Sequence, residues 1–239
     1  GAKALNLASW KPLLQLDGAT IAEGGGKAEV WLDMQHWRLQ QARAVLALQQ
    51  VRLRGAGAQT LHLPQAQMRA NWQRQDDGWR LQVPQLRIGD EQMDGLQVVW
   101  GQKIQLQAPR LALGPWLQLL ALSDQVPAPT RQWLRRANPQ VELQQVHWQG
   151  ATQGRWRGSA EHVQLGFAAV GGAPGLQGLA GRVEADEQGI EVALNPQRQI
   201  QLDWPTGFGV THQLRLEGRI GIWPEQQDWR VATSALRVQ

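Results

Sequence analysis

The feature that most restricts this chain is a pair of aliphatic positions two residues apart, followed after three residues by a second such pair. It runs through Leu46, Leu48, Val51 and Leu53; Leu81, Val83, Leu86 and Ile88; Leu106, Ala108, Leu111 and Leu113; and Val141, Leu143, Val146 and Trp148. It returns near the end as Val231, Leu236 and Val238, with Thr233 in the second place. Three stretches share a Trp-Arg-apolar opening: HWRLQQARAVLAL at 36–48, GWRLQVPQLRI at 78–88 and DWRVATSALRV at 228–238. A spacing of two keeps side chains on one face of a strand, whereas a spacing of three sends the second pair to the opposite face. To keep both pairs on one side, the chain must absorb one residue in a bulge or bend. Pro84 and Pro109 lie in or beside the interval, where a missing N–H is tolerated. Bulges add twist and bend, so repeating them predicts a curled meander, a trough with its apolar face on the concave side.

Plain alternation fills much of the rest. It runs through Val30, Leu32 and Met34; Leu96, Val98 and Trp100; Val163, Leu165 and Phe167; Ile190, Val192 and Leu194; and Phe208, Val210, Leu214, Leu216, Ile220 and Ile222. Turn chemistry separates these runs, as at Asp76-Asp77-Gly78, Gly89-Asp90, Gly171-Gly172 and Asn195-Pro196, so sequence neighbours are expected to pair antiparallel. Glutamines such as Gln82, Gln85, Gln105 and Gln107 occupy the polar parity as a solvated outer face. Residues 114–138 break the pattern with two short helical stretches, one entered at Pro115 and one after Pro129 with Thr130 near its start. The fold class that follows is mainly all-β: a long, curved antiparallel sheet forming an open hydrophobic groove, with two short helices near residues 114–138. Residues 1–239 read as one elongated β-groove segment of a larger protein, with a first sheet portion at 1–113, a helical insert at 114–138 and a second sheet portion at 139–239.

Chemistry is sparse. Cysteine is absent, which excludes disulfides, thiolate metal sites and Cys nucleophiles. The five histidines, His36, His62, His147, His162 and His212, never fall at ligand spacing, so no metal or other cofactor is expected. No serine lies in a GxSxG elbow, and the Gly-rich runs GGGK at 24–27 and AVGGAPG at 169–175 lack phosphate-loop spacing. Carboxylates gather in turns, so the chain does not read as an enzyme. The net charge is only +4 and the basic residues are scattered, with RQWLRR at 131–136 the densest group, which argues against a nucleic-acid surface. There is no secretory signal and no apolar run of the roughly 20 residues a membrane helix needs, so the chain is expected to be soluble or peripheral.

Thirteen tryptophans remain. Trp31, Trp37, Trp79, Trp100, Trp148, Trp204, Trp223 and Trp229 fall at expected strand starts or ends, where an indole packs its body and wets its N–H. Three function classes stay open from the residues: an open apolar groove, a structural β-scaffold or protein-interaction module, and a Trp-rich carbohydrate-binding module.

Taken in order, several phrases resemble the YhdP family of AsmA-like bacterial envelope proteins, which carry the DUF3971-type domain. They are GKAEVWLDM and the alternating stretch after it at 26–53, GWRLQVPQLRI, APRLALGPWLQLLAL, PTRQWLRRANPQVELQQVHWQG, PGLQGLAGRVEADEQGIEVAL at 174–194 and QIQLDWPTGFGVTHQLRLEGRIGIWPEQQDWRVATSALRV at 199–238. Where members usually carry Pro-Gly, this chain has Asn138-Pro139-Gln140. The resemblance implies a periplasmic segment of an inner-membrane-anchored, bridge-like protein whose hydrophobic groove carries phospholipid between inner and outer membranes. The implied partners are phospholipid acyl chains, membranes through parts of the parent protein outside this chain, and other envelope proteins. The implied lipid contacts are the groove-face aliphatics Val30, Leu32, Leu46, Leu48, Leu81, Val83, Leu96, Val98, Val163, Leu165, Phe167, Leu214 and Leu216.

Overall fold

The computed structural model describes residues 2–6, 19–55, 57, 59–151, 154–225 and 228–239, with the side chains of 2–6 and 228–229 left aside. The expected position of the Trp229 indole therefore lies outside the described residues. Strand dominates, and the described chain forms two compact units. The first comprises 1–101 with 115–135, and the second 102–114 with 136–239.

The first unit is an antiparallel meander in chain order: β1 (Ala2–Asn6), β2 (Thr20–Gln35), β3 (Arg38–Gly55), β4 (Gln59–Gln75), β5 (Gly78–Ile88) and β6 (Glu91–Trp100). The second continues the habit with β7 (Lys103–Ala112), β8 (Gln140–Ala151), β9 (Trp156–Phe167), β10 (Gly175–Asp186) and β11 (Gly189–Leu194). There β12 (Ile200–Asp203) pairs with the start of β10 and with β13 (Thr211–Leu214). The strands β15 (Arg219–Glu225) and β16 (Asp228–Thr233) extend the ladder from β11. A small separate ladder joins β14 (Leu216–Glu217) to β17 (Arg237–Val238). Within each unit the sheet is open and not a closed barrel.

The anticipated change of phase between aliphatic pairs is present, and its usual form is more specific than a bulge. In β3 the extra residue is Gln50, held at φ 51°, and the flanking pairs Gln49↔Gln65 and Val51↔Leu63 place it opposite Pro64. In β8 it is Gln145, at φ 53°, opposite Pro109 by the same bracketing. In β6 it is Gly95, at φ 70°, opposite Pro84. A left-handed residue on one strand and a proline lacking an N–H on the other take up one residue each, so the face is restored without a slip in register. Against β4, β5 also shows the expected bulge, because Gln85 pairs with Arg69 while Gln82 pairs with Asn71. The break expected between Thr233 and Leu236 is there too: β16 stops at Thr233 and β17 begins at Arg237.

Both helices fall where expected, α1 at Gly114–Leu120 and α2 at Ala128–Ala137. Asn138 follows α2 at φ 43°, a left-handed cap that asparagine tolerates, which fits the chain's Asn-Pro in place of Pro-Gly. One expectation needs correcting. The run from Phe208 to Ile222 is not a single alternating stretch, because residues 205–210 are turns and bends, and Leu214 and Leu216 end and begin different ladders. The carbonyl of Trp204 accepts from the N–H groups of Gly207, Phe208 and Gly209, closing a tight loop where extended backbone was anticipated.

Candidate functional site

Register, which fixes which side chains share a face, assembles one apolar surface on the first unit. Paired residues stand on the same side of a sheet. Row by row the surface reads Leu32, Ala42, Trp72, Leu81 and Val98, then Val30, Ala44 and Ala70, then Leu46, Met68, Leu86 and Met93. Leu48 with Ala66 and Ile88 follows, and then Val51 with Leu63 and Leu53 with Leu61. The opposite side carries Arg43, Arg52, Arg69, Gln73, Gln82, Gln85 and Gln97.

The surface is not uniform along the strands. At the strand end formed by the start of β2 and the finish of β3, Ala19, Ile21, Val51 and Leu53 pack with Leu122, and Leu48, Leu61, Leu63 and Leu119 close around them. The segment leaving α1 therefore seals that end. Gly55 is part of the fit, since a Cβ there would run into the backbone of Leu122. At the other end the aliphatics meet water: Val30 is 56% and Leu32 60% exposed.

The second unit repeats the arrangement. Trp148, Ala185, Ile190, Ile222 and Val231 form one row with Gly158, and Val146, Ala160, Val183, Val192 and Ile220 form the next. Val163 faces Leu143, Leu165 lies between Val141 and Leu179, and Phe167 pairs with Leu176.

Eleven of the thirteen anticipated contacts thus fall on the two apolar faces, eight on the first unit and three on the second. Among the first eight, Val30 and Leu32 are open, while Leu46, Leu48, Leu81, Leu96 and Val98 are half-buried and Val83 is only 4% exposed. Leu48 leans on the sealed cluster and belongs in part to the core. Leu214 opposite Ile200, and Leu216 opposite Val238, lie off the main ladders. The anticipated set omits β4, whose Leu61, Leu63, Ala66 and Met68 carry the same two-three-two spacing; alanine in the third place hides it.

Charge on these faces sits at their ends, as at Arg74 opposite Trp79 and Glu91 opposite Ile88, and much of the rest is paired at the surface. Arg52 reaches Glu23 at 2.9 Å and Arg219 reaches Glu191 at 2.9 Å. Glu142 accepts from Gln144 at 2.8 Å and from Arg110 at 2.7 Å. The Gln144 amide, with a further contribution from the Arg110 guanidinium, outweighs desolvation and holds the Glu142 carboxyl below its ordinary value.

Two histidines serve the left-handed glutamines: His62 Nε2 lies 2.8 Å from the Gln50 amide oxygen, and His147 Nδ1 lies 3.0 Å from the Gln145 carbonyl. Among the described residues no group of three or more His, Asp or Glu is placed to hold a metal. A cleft of about 1390 Å³ in the second unit has a mixed lining, with Lys103, Arg157 and Arg182, Glu184 and Asp186 beside Trp148, Trp156 and Trp223. It is not an unbroken aliphatic wall, so this concavity differs from the apolar trough expected.

Open antiparallel sheets with one apolar and one polar face define the class of architecture. A family model described as YhdP protein matches residues 1–239, and the chain belongs to that family. No curated protein and no solved structure matches it. Among the described residues no helix is long and apolar enough to cross a membrane.

Proposed function

We propose that this chain is part of a bridge-like lipid transport protein of the bacterial envelope, and that each unit supplies a stretch of hydrophobic track for phospholipid passing between inner and outer membranes. The chain then works as a periplasmic segment, with membrane attachment provided elsewhere in the parent protein. The observation that carries this reading is the apolar face of β2–β6, which is continuous in register across five strands and open at one strand end. Moving acyl carbon from water onto such a surface gains roughly 0.8 kcal/mol per CH₂ buried, so aliphatic walls hold lipid tails without directed bonds. Because that attraction is non-directional, a lipid can slide along it without breaking a specific contact at each step. Membership of the YhdP family supports the same reading.

The competing reading is a scaffold whose face is filled by its own side chains. Aspartate at Leu81 or Leu165 separates the two. On an open track the carboxylate hydrates, the protein stays folded, and transport and photocrosslinking to lipid at that position are lost. In a filled core the same change strands a charge at a cost of several kcal/mol, against a total stability of about 5–15 kcal/mol. A large fall in melting temperature, with no lipid crosslinked to the unsubstituted protein, would favour the scaffold.

A further inference from the structure

We propose that the strand end bearing stacked tryptophans is the lip at which phospholipid headgroups ride, with the acyl chains lying along the strands toward the opposite end. This rests on the track reading and deepens it. In the first unit the indoles of Trp79 and Trp100 stack with centroids 5.8 Å apart and planes 10° from parallel, in register at the start of β5 and the finish of β6. Arg74 stands beside them on the same face, paired with Trp79, and makes no ion pair among the described residues.

The second unit has the same device at the corresponding strand end. Trp148 and Trp156 stack at 6.5 Å, one at the finish of β8 and one at the start of β9. The Trp148 ring lies over Gly150 and Gly158, where a Cβ would meet it. Lys103 and Arg157 pair with Ala151 and Gln149 on the polar side of the sheet, away from the two indoles, and Arg155 reaches Glu187 at 3.7 Å. Each unit, taken by itself, sets paired indoles where its apolar face runs out, and the first adds the Arg74 cation beside them.

An indole, with an apolar body and one polar N–H, is suited to the boundary between hydrocarbon and water, and an arginine beside it matches a phosphate. The opposite end of the first unit cannot take that part, because Leu119 and Leu122 seal it. Length agrees as well. A bilayer core about 30 Å thick allots about 15 Å to one acyl chain, which spans roughly four or five strand residues. A chain entering at Trp79 then ends near Val83, short of the sealed cluster.

The test uses the protein in its full natural chain, mixed with phosphatidylethanolamine vesicles containing a lipid that carries a diazirine either beside the glycerol carbonyl or at the acyl terminus. Labelled residues are mapped by mass spectrometry. The carbonyl-level group should label around Trp79, Trp100, Trp148 and Trp156, and the terminal group around Val30, Ala44, Ala70 and Leu96. Arg74→Gln should lower carbonyl-level labelling at Trp79 and Trp100 several-fold relative to terminal labelling. If the terminal group marks the apolar faces while the carbonyl-level group marks the sealed end or both ends equally, the lip assignment is overturned and the track reading survives. Labelling by neither lipid overturns both.

Discussion

At the scale of single residues, the left-handed glutamines show how the phase change is made. A non-glycine residue at φ near +50° costs roughly 1–2 kcal/mol, and a β-branched one suffers more. Gln145 is exposed and uses only its backbone carbonyl toward His147, so its side chain can be changed without removing that contact. Stability in chemical denaturation should order Gly above Gln above Val at position 145, with valine about 1–2 kcal/mol below glutamine. Equal stability of the glutamine and valine proteins would show that the left-handed turn is not what restores the face.

Glu142 gives a residue-scale pH dependence. Its carboxyl is lowered in the folded state, so its stabilisation is fully present above the ordinary glutamate value of 4.5 and is lost as pH falls through the lowered value. Glu142→Gln should therefore lower stability at pH 7, flatten the acid limb of a denaturation series between about pH 5 and pH 3, and change little at the acid end of that range. An unchanged acid limb would mean that the Gln144 and Arg110 contacts do not bias the carboxyl in solution.

At the scale of elements, the interval of three residues between aliphatic pairs was readable because a strand's period of two allows no other solution than an absorbed residue. Which residue absorbs it was not readable. Nothing in the local sequence marks Gln50 or Gln145 for positive φ, and the prolines opposite them sit on a different strand. The strand β4 was hidden for a simpler reason, the low hydrophobicity of Ala66 and Ala70 within it. The two helices announced themselves through Pro115, Pro127 and Pro129, but their partner did not, since packing of Leu122 on Ile21, Val51 and Leu53 joins residues about seventy or more positions apart. Leu122 is 2% exposed, so Leu122→Ala should cost about 2–5 kcal/mol. A loss below about 1 kcal/mol by calorimetry would mean that the sealed end is loosely packed.

At the scale of the whole molecule, period-two alternation with no competing catalytic or metal constellation was enough to anticipate open antiparallel sheets with a wet face and an apolar face. Which residues share the apolar face was legible wherever alternation ran through consecutive strand residues, as at Leu81 and Val83 or Val163 and Leu165. Parity was misleading where a loop mimicked alternation, so that Leu214 and Leu216, after the tight turn around Trp204, lie off the main ladders. Parity says which residues share a side, but it does not say how much of that side is covered. Burial divides the anticipated set into open Val30 and Leu32, half-covered Leu81 and Val98, and Leu48 leaning on the core.

The central claim, that the apolar faces carry lipid rather than merely fill themselves, is tested most directly by what the protein holds. The purified protein is extracted under denaturing conditions and its lipid content read by mass spectrometry, with the Leu81→Asp and Leu165→Asp proteins treated in parallel. The account predicts phospholipid in roughly stoichiometric or greater amount in the unsubstituted protein and a marked drop in both variants, whose folding is unchanged. A lipid-free unsubstituted protein that also fails to take up phospholipid from vesicles would contradict it.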